Sequence, residues 1–241
     1  MKISVFKKGF NYSQDGPGNR LVYHLQGCNL RCPWCANPEG IYADCEAKQY
    51  NIQELVQEAK RSSLMFFDGG GVTFTGGEAT VQFEALEEIL QELKKEGINT
   101  ALETNGTDSR LKKLFGCIDF LIMDFKHYDS NIHMKFTTSG NETVMQNIAE
   151  AANTDRQLLV RIPLIKGFNA ARKDADGFLS FFDTVDCNRF EFEFLKYHEY
   201  GKEKWRKCGV EYTMQDAFVD DETVDFFVKA FTQKGLTVVR T

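Results

Sequence analysis

Apolar residues recur along the chain with two alternating periods, one of two residues and one of three to four, and this alternation sets the expected elements. The run Leu21-Val22-Tyr23-His24-Leu25 predicts a strand. A long loop follows as far as Asn51, a good N-cap for a helix over residues 52–61. Val72-Thr73-Phe74-Thr75 is β-branched and aromatic and predicts a second strand, ended by Gly76-Gly77 before the helical run Val81, Leu86, Ile89, Leu90 and Leu93. The same unit returns with strands at 99–102, 120–123, 158–162 and 189–194. Helices are expected near 109–115, 142–152, 174–182 and 222–232, with a last strand at 236–239.

Strands alternating with helices imply parallel pairing through right-handed crossovers. About six such units give an α/β fold, an incomplete (β/α)6-type TIM barrel with parallel strands, and a full eight-unit barrel would be cramped in 241 residues. No Pro-, Gly- or Ser-rich linker, low-complexity tract or internal repeat divides the sequence, so one domain over 1–241 is expected. In that architecture the loops leaving the C-terminal ends of the strands build the site.

Composition narrows the class. With 42% hydrophobic and 27% charged residues the chain can bury a core, which excludes a disordered segment. Its apolar runs fall far short of the ~20 residues that cross a bilayer, and lysines interrupt M-K-I-S-V-F-K-K-G-F where a signal peptide would be apolar. A cytoplasmic location without membrane contact is therefore expected. A net charge of −6 gives no basic surface for nucleic acid.

Of seven cysteines, Cys28, Cys32 and Cys35 are clustered as C-x3-C-x2-C after the first expected strand, while Cys45, Cys117, Cys187 and Cys208 are scattered. Soft sulfur ligands select zinc or an iron-sulfur cluster. Cys45 would complete a four-ligand zinc site, whereas three thiolates on a four-iron cluster leave one iron open. The other cysteines read as small buried hydrophobes. Asp68-Gly69-Gly70-Gly71 has neither the Walker nor the dinucleotide frame. Gly76-Gly77-Glu78 reads as a tight strand-to-helix turn with a first-turn carboxylate, or as a ligand loop. Glu103-Thr104-Asn105-Gly106 reads as a polar turn, and Asp124 and Lys126 as a charged pair ending a strand. Arg161 is an isolated cation among Leu158, Leu159, Val160 and Ile162, requiring either a structural ion pair or a ligand carboxylate. His24 and His133 carry no assigned role, and His127 stays open.

Together these segments resemble a known family. The cysteine loop, with Trp34 before its last cysteine, resembles the signature of the radical S-adenosylmethionine (SAM) enzymes. The chain is further similar to the activating enzymes of glycyl radical enzymes, with the pyruvate formate-lyase activating type nearest. The match runs through D-G-P-G at 15–18, H-L-Q-G-C at 24–28, G-G-V-T-F-T-G-G-E at 70–78, E-T-N-G at 103–106, M-D-F-K at 123–126, V-R-I-P-L-I-K-G at 160–167 and Y-H-E-Y-G-K-E-K-W at 197–205.

The resemblance implies a [4Fe-4S] cluster on Cys28, Cys32 and Cys35. It implies SAM contacts from Trp34, Ala36, Gly76, Gly77, Glu78, Glu103, Asp124, Phe125, Lys126, Arg161 and His198, and a monovalent cation held by Glu103, Thr104 and Asp124. Asp15 and Gly16 would meet the glycine loop of a partner. The implied activity is reductive cleavage of SAM to a 5′-deoxyadenosyl radical that abstracts hydrogen from a backbone glycine of a glycyl radical enzyme. A flavodoxin or ferredoxin would donate the electron to a monomeric protein. Glu103 stands where the family usually has aspartate, Ala79 where many radical SAM proteins carry proline, and between Cys35 and Val72 only Cys45 appears, so no ferredoxin-like insert is expected. Two other readings are a radical SAM enzyme acting on a small molecule or peptide, and a non-catalytic iron-sulfur or zinc protein.

Overall fold

The computed structural model describes residues 1–41 and 47–240, so that Cys45 lies outside the described residues. The chain divides into two compact units, one of Met1–Asn29, Asn37–Thr104 and Arg110–Ile122, the other of Leu30–Ala36, Asn105–Ser109 and Met123–Thr241. It is α/β.

In the first unit β1 (Lys2–Tyr12), β2 (Asn19–Leu25), β3 (Lys48–Asn51), β4 (Gly71–Gly76), β5 (Thr100–Thr104) and the start of β6 (Phe120–Asp124) lie in the order β3-β1-β2-β4-β5-β6. β2 pairs parallel with β4, and β4 with β5, as the alternation of strands and helices predicts. β1 and β3 were not expected as strands, and they add an antiparallel flank beside β2. The physical reason is composition: after Ile3 and Val5, β1 passes through Lys7 and Lys8 with little apolar surface to bury, and its register with β2 slips between Val5 and Lys7. α1 (Ile52–Arg61) starts at Asn51, whose backbone N–H donates to Glu54 Oε2 at 2.9 Å, closing the expected cap. α2 (Phe83–Lys95) begins after Val81, because Ala79–Gln82 forms a 3₁₀ turn in which the Thr80 N–H donates to the Glu78 carboxylate. Tyr23 stacks on Phe74 at 5.6 Å and its hydroxyl donates to Glu58 of α1, which identifies the helix-facing side of β2 and β4.

The second unit holds α3 (Ser130–Thr137), α4 (Glu142–Ala152), β7 (Gln157–Leu164), α5 (Arg172–Phe182), β8 (Phe190–Lys196), α6 (Lys202–Lys207), α7 (Asp221–Gln233) and β9 (Thr237–Val238), with β7, β8 and β9 paired parallel. α3 and α6 are too short to show a helical period in sequence. α3 exists through its cap, since Asp129 Oδ1 accepts from the N–H groups of Asn131 and Ile132. The helix expected near 109–115 is instead a 3₁₀ stretch, Leu111–Cys117. The core here is aromatic: Phe125 meets Phe178 at 5.3 Å, Phe182 meets Phe192 at 4.7 Å, and Phe192 meets Phe231 at 5.2 Å. Edge-to-face packing suits the ring quadrupoles, and burying each ring contributes roughly 2–3 kcal/mol.

Phe178 is fully buried, with Phe125 and Tyr128 against its ring. Phe178→Ala is expected to destabilise the protein by about 3–5 kcal/mol, measurable as a lowered urea midpoint with little change in slope.

Candidate active site

In the first unit the Gly76-Gly77-Glu78 turn is laced to the residues that enter the cysteine loop. Gly77 N–H donates to Leu25 O at 3.0 Å, Glu78 N–H to Gly27 O at 2.7 Å, and Gly27 N–H to Gly40 O at 2.9 Å. A Cβ on Gly77 would lie 2.2 Å from Gly27 O and 2.6 Å from Gly40 O, so only glycine permits this approach. The residue just before Cys28 is therefore fixed by main chain. Glu78 is buried, and its Oε1 accepts from Thr80 N–H, Thr80 Oγ1 and, at 2.6 Å, Thr104 Oγ1. Glu103 lies next to Thr104 on β5, and successive strand side chains point to opposite faces. Its Oε2 accepts from Thr75 Oγ1 at 2.7 Å. The structure thus joins Thr104 to Glu78 and Glu103 to Thr75, and does not bring the Glu103 and Thr104 side chains together.

In the second unit the far end of the cysteine loop is clamped by α6. Trp205 Nε1 donates to Cys35 O at 2.8 Å and Lys204 Nζ to Ala36 O at 2.9 Å. Trp34 packs on Phe168 at 4.6 Å and against Phe136, beside the buried cluster of Ile165, Phe168, Tyr197 and Ala217. Cys32 is buried, and Cys28 and Cys35 are half-buried. Among the described residues no three His, Cys, Asp or Glu side chains stand close enough to hold a metal ion as placed. The donor set still fits an iron-sulfur cluster, because three thiol side chains within eight residues hang from a loop whose main chain is hydrogen-bonded at Gly27 by backbone groups and at Cys35 and Ala36 by the side chains of Trp205 and Lys204. Binding would draw the sulfurs inward, as is usual where ligation is coupled to local folding.

Lys126, largely buried, donates to Asp124 Oδ2 at 2.5 Å, and this pair stands where β6 ends. Phe125 between them turns its ring into the aromatic core and gives its N–H to Arg161 O at 2.8 Å, so neither its ring nor its N–H is offered to a ligand. Arg161 and Glu193 are register partners on β7 and β8, both buried, with Nε to Oε2 at 2.8 Å. The ion pair is the structural alternative raised for Arg161. His198 stacks on Tyr200 at 4.2 Å, and its Nδ1 accepts the Tyr200 N–H at 3.3 Å. That bond puts the neutral ring's proton on Nε2, as a donor. Burial lowers the His198 pKa from its ordinary value, which favours that neutral form.

The residues that sequence reasoning missed are asparagines that bracket these loops. Asn169 Nδ2 donates to Lys126 O at 2.8 Å and Pro163 O at 2.7 Å. Asn147 Nδ2 donates to Gly106 O and Asp108 O, and Asn141 Nδ2 to His127 O and Tyr128 O. Each spends both amide protons on loop carbonyls. No local motif marks them; only their place one element downstream of each loop would have done so. Glu193 did carry a signal, the alternation Phe190-Glu191-Phe192-Glu193-Phe194.

Strand-end loops that carry thiolates, a buried carboxylate and a lysine define a class, and comparison with known proteins agrees. The family model of the radical SAM superfamily matches residues 22–179. The 4-hydroxyphenylacetate decarboxylase activating enzyme of Clostridioides difficile (strain CD196) is 31% identical, over 92% of this chain and 90% of its own. The pyruvate formate-lyase-activating enzyme of Staphylococcus aureus (strain USA300) is also 31% identical, over 92% of each chain. A solved domain of a pyruvate-formate lyase-activating enzyme from Bacteroides vulgatus ATCC 8482 superposes with a TM-score of 0.59 at 28% identity, over 71% of this chain and 98% of that one. A radical SAM methyltransferase from Sphaerobacter thermophilus shares only the fold, with a TM-score of 0.66 at 13% identity over 96% of this chain and 72% of that one, and bears out the incomplete-barrel class. The chain belongs to the radical SAM superfamily, among its glycyl radical enzyme activating enzymes, of the pyruvate formate-lyase activating type. No helix among the described residues is long and apolar enough to cross a membrane.

His127 and His133 are both buried, and burial is the main cause that lowers their pKa values. His127 is held neutral by geometry, since Nδ1 accepts from Asp129 N–H and Nε2 donates to Phe168 O. The unfolded chain binds protons on these rings from pH ~6.5 downward while the native state resists, so stability must rise with pH in that window. Urea unfolding between pH 5 and 8 is expected to show a plateau above about pH 6.5. Below it the loss is at most about 1.4 kcal/mol per pH unit per ring, flattened in His127→Gln.

Proposed function

We propose that this protein activates a glycyl radical enzyme, using a [4Fe-4S] cluster on Cys28, Cys32 and Cys35 and SAM as cofactors. When bound there, the reduced cluster and SAM would supply the one-electron radical chemistry that removes a hydrogen atom from a backbone glycine of the partner, the electron coming from an external reductant and methionine being released. The observation that carries this reading is 31% identity to two activating enzymes over about nine-tenths of both chains.

The chain's own residues prepare that chemistry by orientation. Main-chain bonds from Gly77 and Glu78 and the α6 clamp on Cys35 and Ala36 set the two ends of the thiolate loop. Gly76, Gly77 and Glu78 offer carbonyls and a fixed carboxylate to the amino group of SAM. Lys126, held by Asp124 and by Asn169 at its carbonyl, offers an ammonium. His198 presents Nε2–H to a ribose or adenine acceptor. The ion pair with Glu193 makes Arg161 a fixed, buried cation, a group whose charge suits the carboxylate of SAM. Glu103 and Asp124, with the Thr104 main-chain carbonyl, are the groups that would hold a monovalent cation. Trp34 shields the loop on its aromatic side. Asp15 and Gly16 meet the partner's glycine loop. The chain works as one radical SAM domain and as a monomer in the cytoplasm, reduced by a flavodoxin or ferredoxin.

Anaerobic reconstitution, reduction and addition of SAM should yield 5′-deoxyadenosine and methionine, with the yield at background in Cys32→Ala. Addition of pyruvate formate-lyase or 4-hydroxyphenylacetate decarboxylase should then give a glycyl radical signal by electron paramagnetic resonance. A fully loaded cluster that cleaves SAM yet leaves both partners without the signal would point to a small-molecule or peptide substrate instead.

A further inference from the structure

Arg20 is the largest side chain buried completely in the first unit, and its bonds go to neutral oxygens. Nε donates to Thr73 Oγ1 at 2.7 Å. Nη1 donates to Pro17 O at 3.1 Å and Gly69 O at 3.3 Å, and Nη2 to Val72 O at 2.9 Å, Asn99 Oδ1 at 2.9 Å and Asn99 O at 3.5 Å. A guanidinium only donates, so Thr73 Oγ1 must accept from it, and the Thr73 hydroxyl proton is directed to Asp15 O at 2.7 Å. Gly16, at φ +114°, lies on the same side chain: a Cβ there would stand 3.1 Å from Arg20 Cδ and 3.4 Å from Ala101 Cβ. The Asp15–Gly18 turn is thus laid against Arg20 from both ends, through Pro17 O and through the Thr73 relay.

The face on which it rests is informative. Thr73 and Thr75 share one side of β4, Ala101 and Glu103 one side of β5, and Thr75 Oγ1 bonds Glu103. The turn therefore lies on the sheet face that carries Glu103, with Asp15 half-buried and one of its carboxylate oxygens accepting from Asn11 Nδ2. Burial pulls the guanidinium down to about 10, against the opposing charges of Asp119 and Asp15, so it remains a cation at neutral pH.

We propose that Arg20, acting through Thr73, is a positioning residue that presents Asp15 and Gly16 to the partner's glycine loop. The inference rests on the reading of those two residues as partner contacts. Arg20 acts on the turn through the Thr73 hydroxyl and through Pro17 O.

The test uses the full chain with reconstituted cluster, and pyruvate formate-lyase as the partner. Because Arg20→Lys removes buried bonds and can fail to fold, Thr73→Val is the main variant and Thr73→Ser the rescue. Ser13 N–H donates to Gly18 O across the turn, so its amide exchange reads turn order directly. In Thr73→Val that exchange is expected to quicken roughly tenfold, and KM for the lyase to rise by a similar factor with kcat within about twofold. Partner-free 5′-deoxyadenosine formation should stay unchanged, and Thr73→Ser should restore wild-type behaviour. In an Asp15→Asn background Thr73→Val should add less than about twofold, since both act at one contact. Unchanged Ser13 exchange, a partner-free yield that falls in step with activation, or fully multiplicative effects with Asp15→Asn would each overturn the proposal. Should the wild type give no radical on the lyase, the activase reading fails for that partner and the proposal falls with it, while unchanged Ser13 exchange in Thr73→Val would overturn the proposal by itself, whatever the partner does.

Discussion

Adjacent side chains on a strand must face opposite ways, and in this chain that rule separates stability from chemistry. On β2 and β4, Tyr23 and Phe74 face the helix side, while Arg20, Thr73 and Thr75 face the other. On β8 the phenylalanines fill the aromatic core and Glu193 turns to Arg161. One strand can thus supply a hydrophobic wall and a reactive surface at once. The same rule parts the side chains of Glu103 and Thr104, one bonded to Thr75 and the other to Glu78.

A polar interior is tolerable only if each buried group is bonded. Glu78 meets this through two threonines, Arg20 through carbonyls and one amide oxygen, Arg161 through a carboxylate. Asparagine does the same for irregular backbone, because one amide group can satisfy two carbonyls of a loop that no strand pairs. The carbonyls of these loops are in this way hydrogen-bonded as those of a strand would be.

Much of this was legible in sequence because it is local. The strand-helix alternation announced the central strands and the five helices α1, α2, α4, α5 and α7, and Asn51 announced the start of α1. The motif order announced the family that the comparisons then showed. What escaped was either short or non-local. α3 is set by a single aspartate cap and α6 by its grip on the cysteine loop, and neither leaves a periodic trace. β1 is half polar and exists because β2 and β3 offer it pairing on both sides. Arg20 precedes the expected strand Leu21–Leu25 and belongs to no local pattern; its partners Thr73, Asn99 and Gly69 are distant in sequence.

The clamp of α6 on the cysteine loop has an optical consequence. The chain has two tryptophans. One, Trp34, directly precedes Cys35, and the other, Trp205, donates its indole N–H to the Cys35 carbonyl. All of the protein's indole emission therefore arises beside the thiolate loop. An iron-sulfur chromophore assembled there would absorb at close range, so that ultraviolet fluorescence follows cluster loading and loss as a built-in gauge, with no label attached.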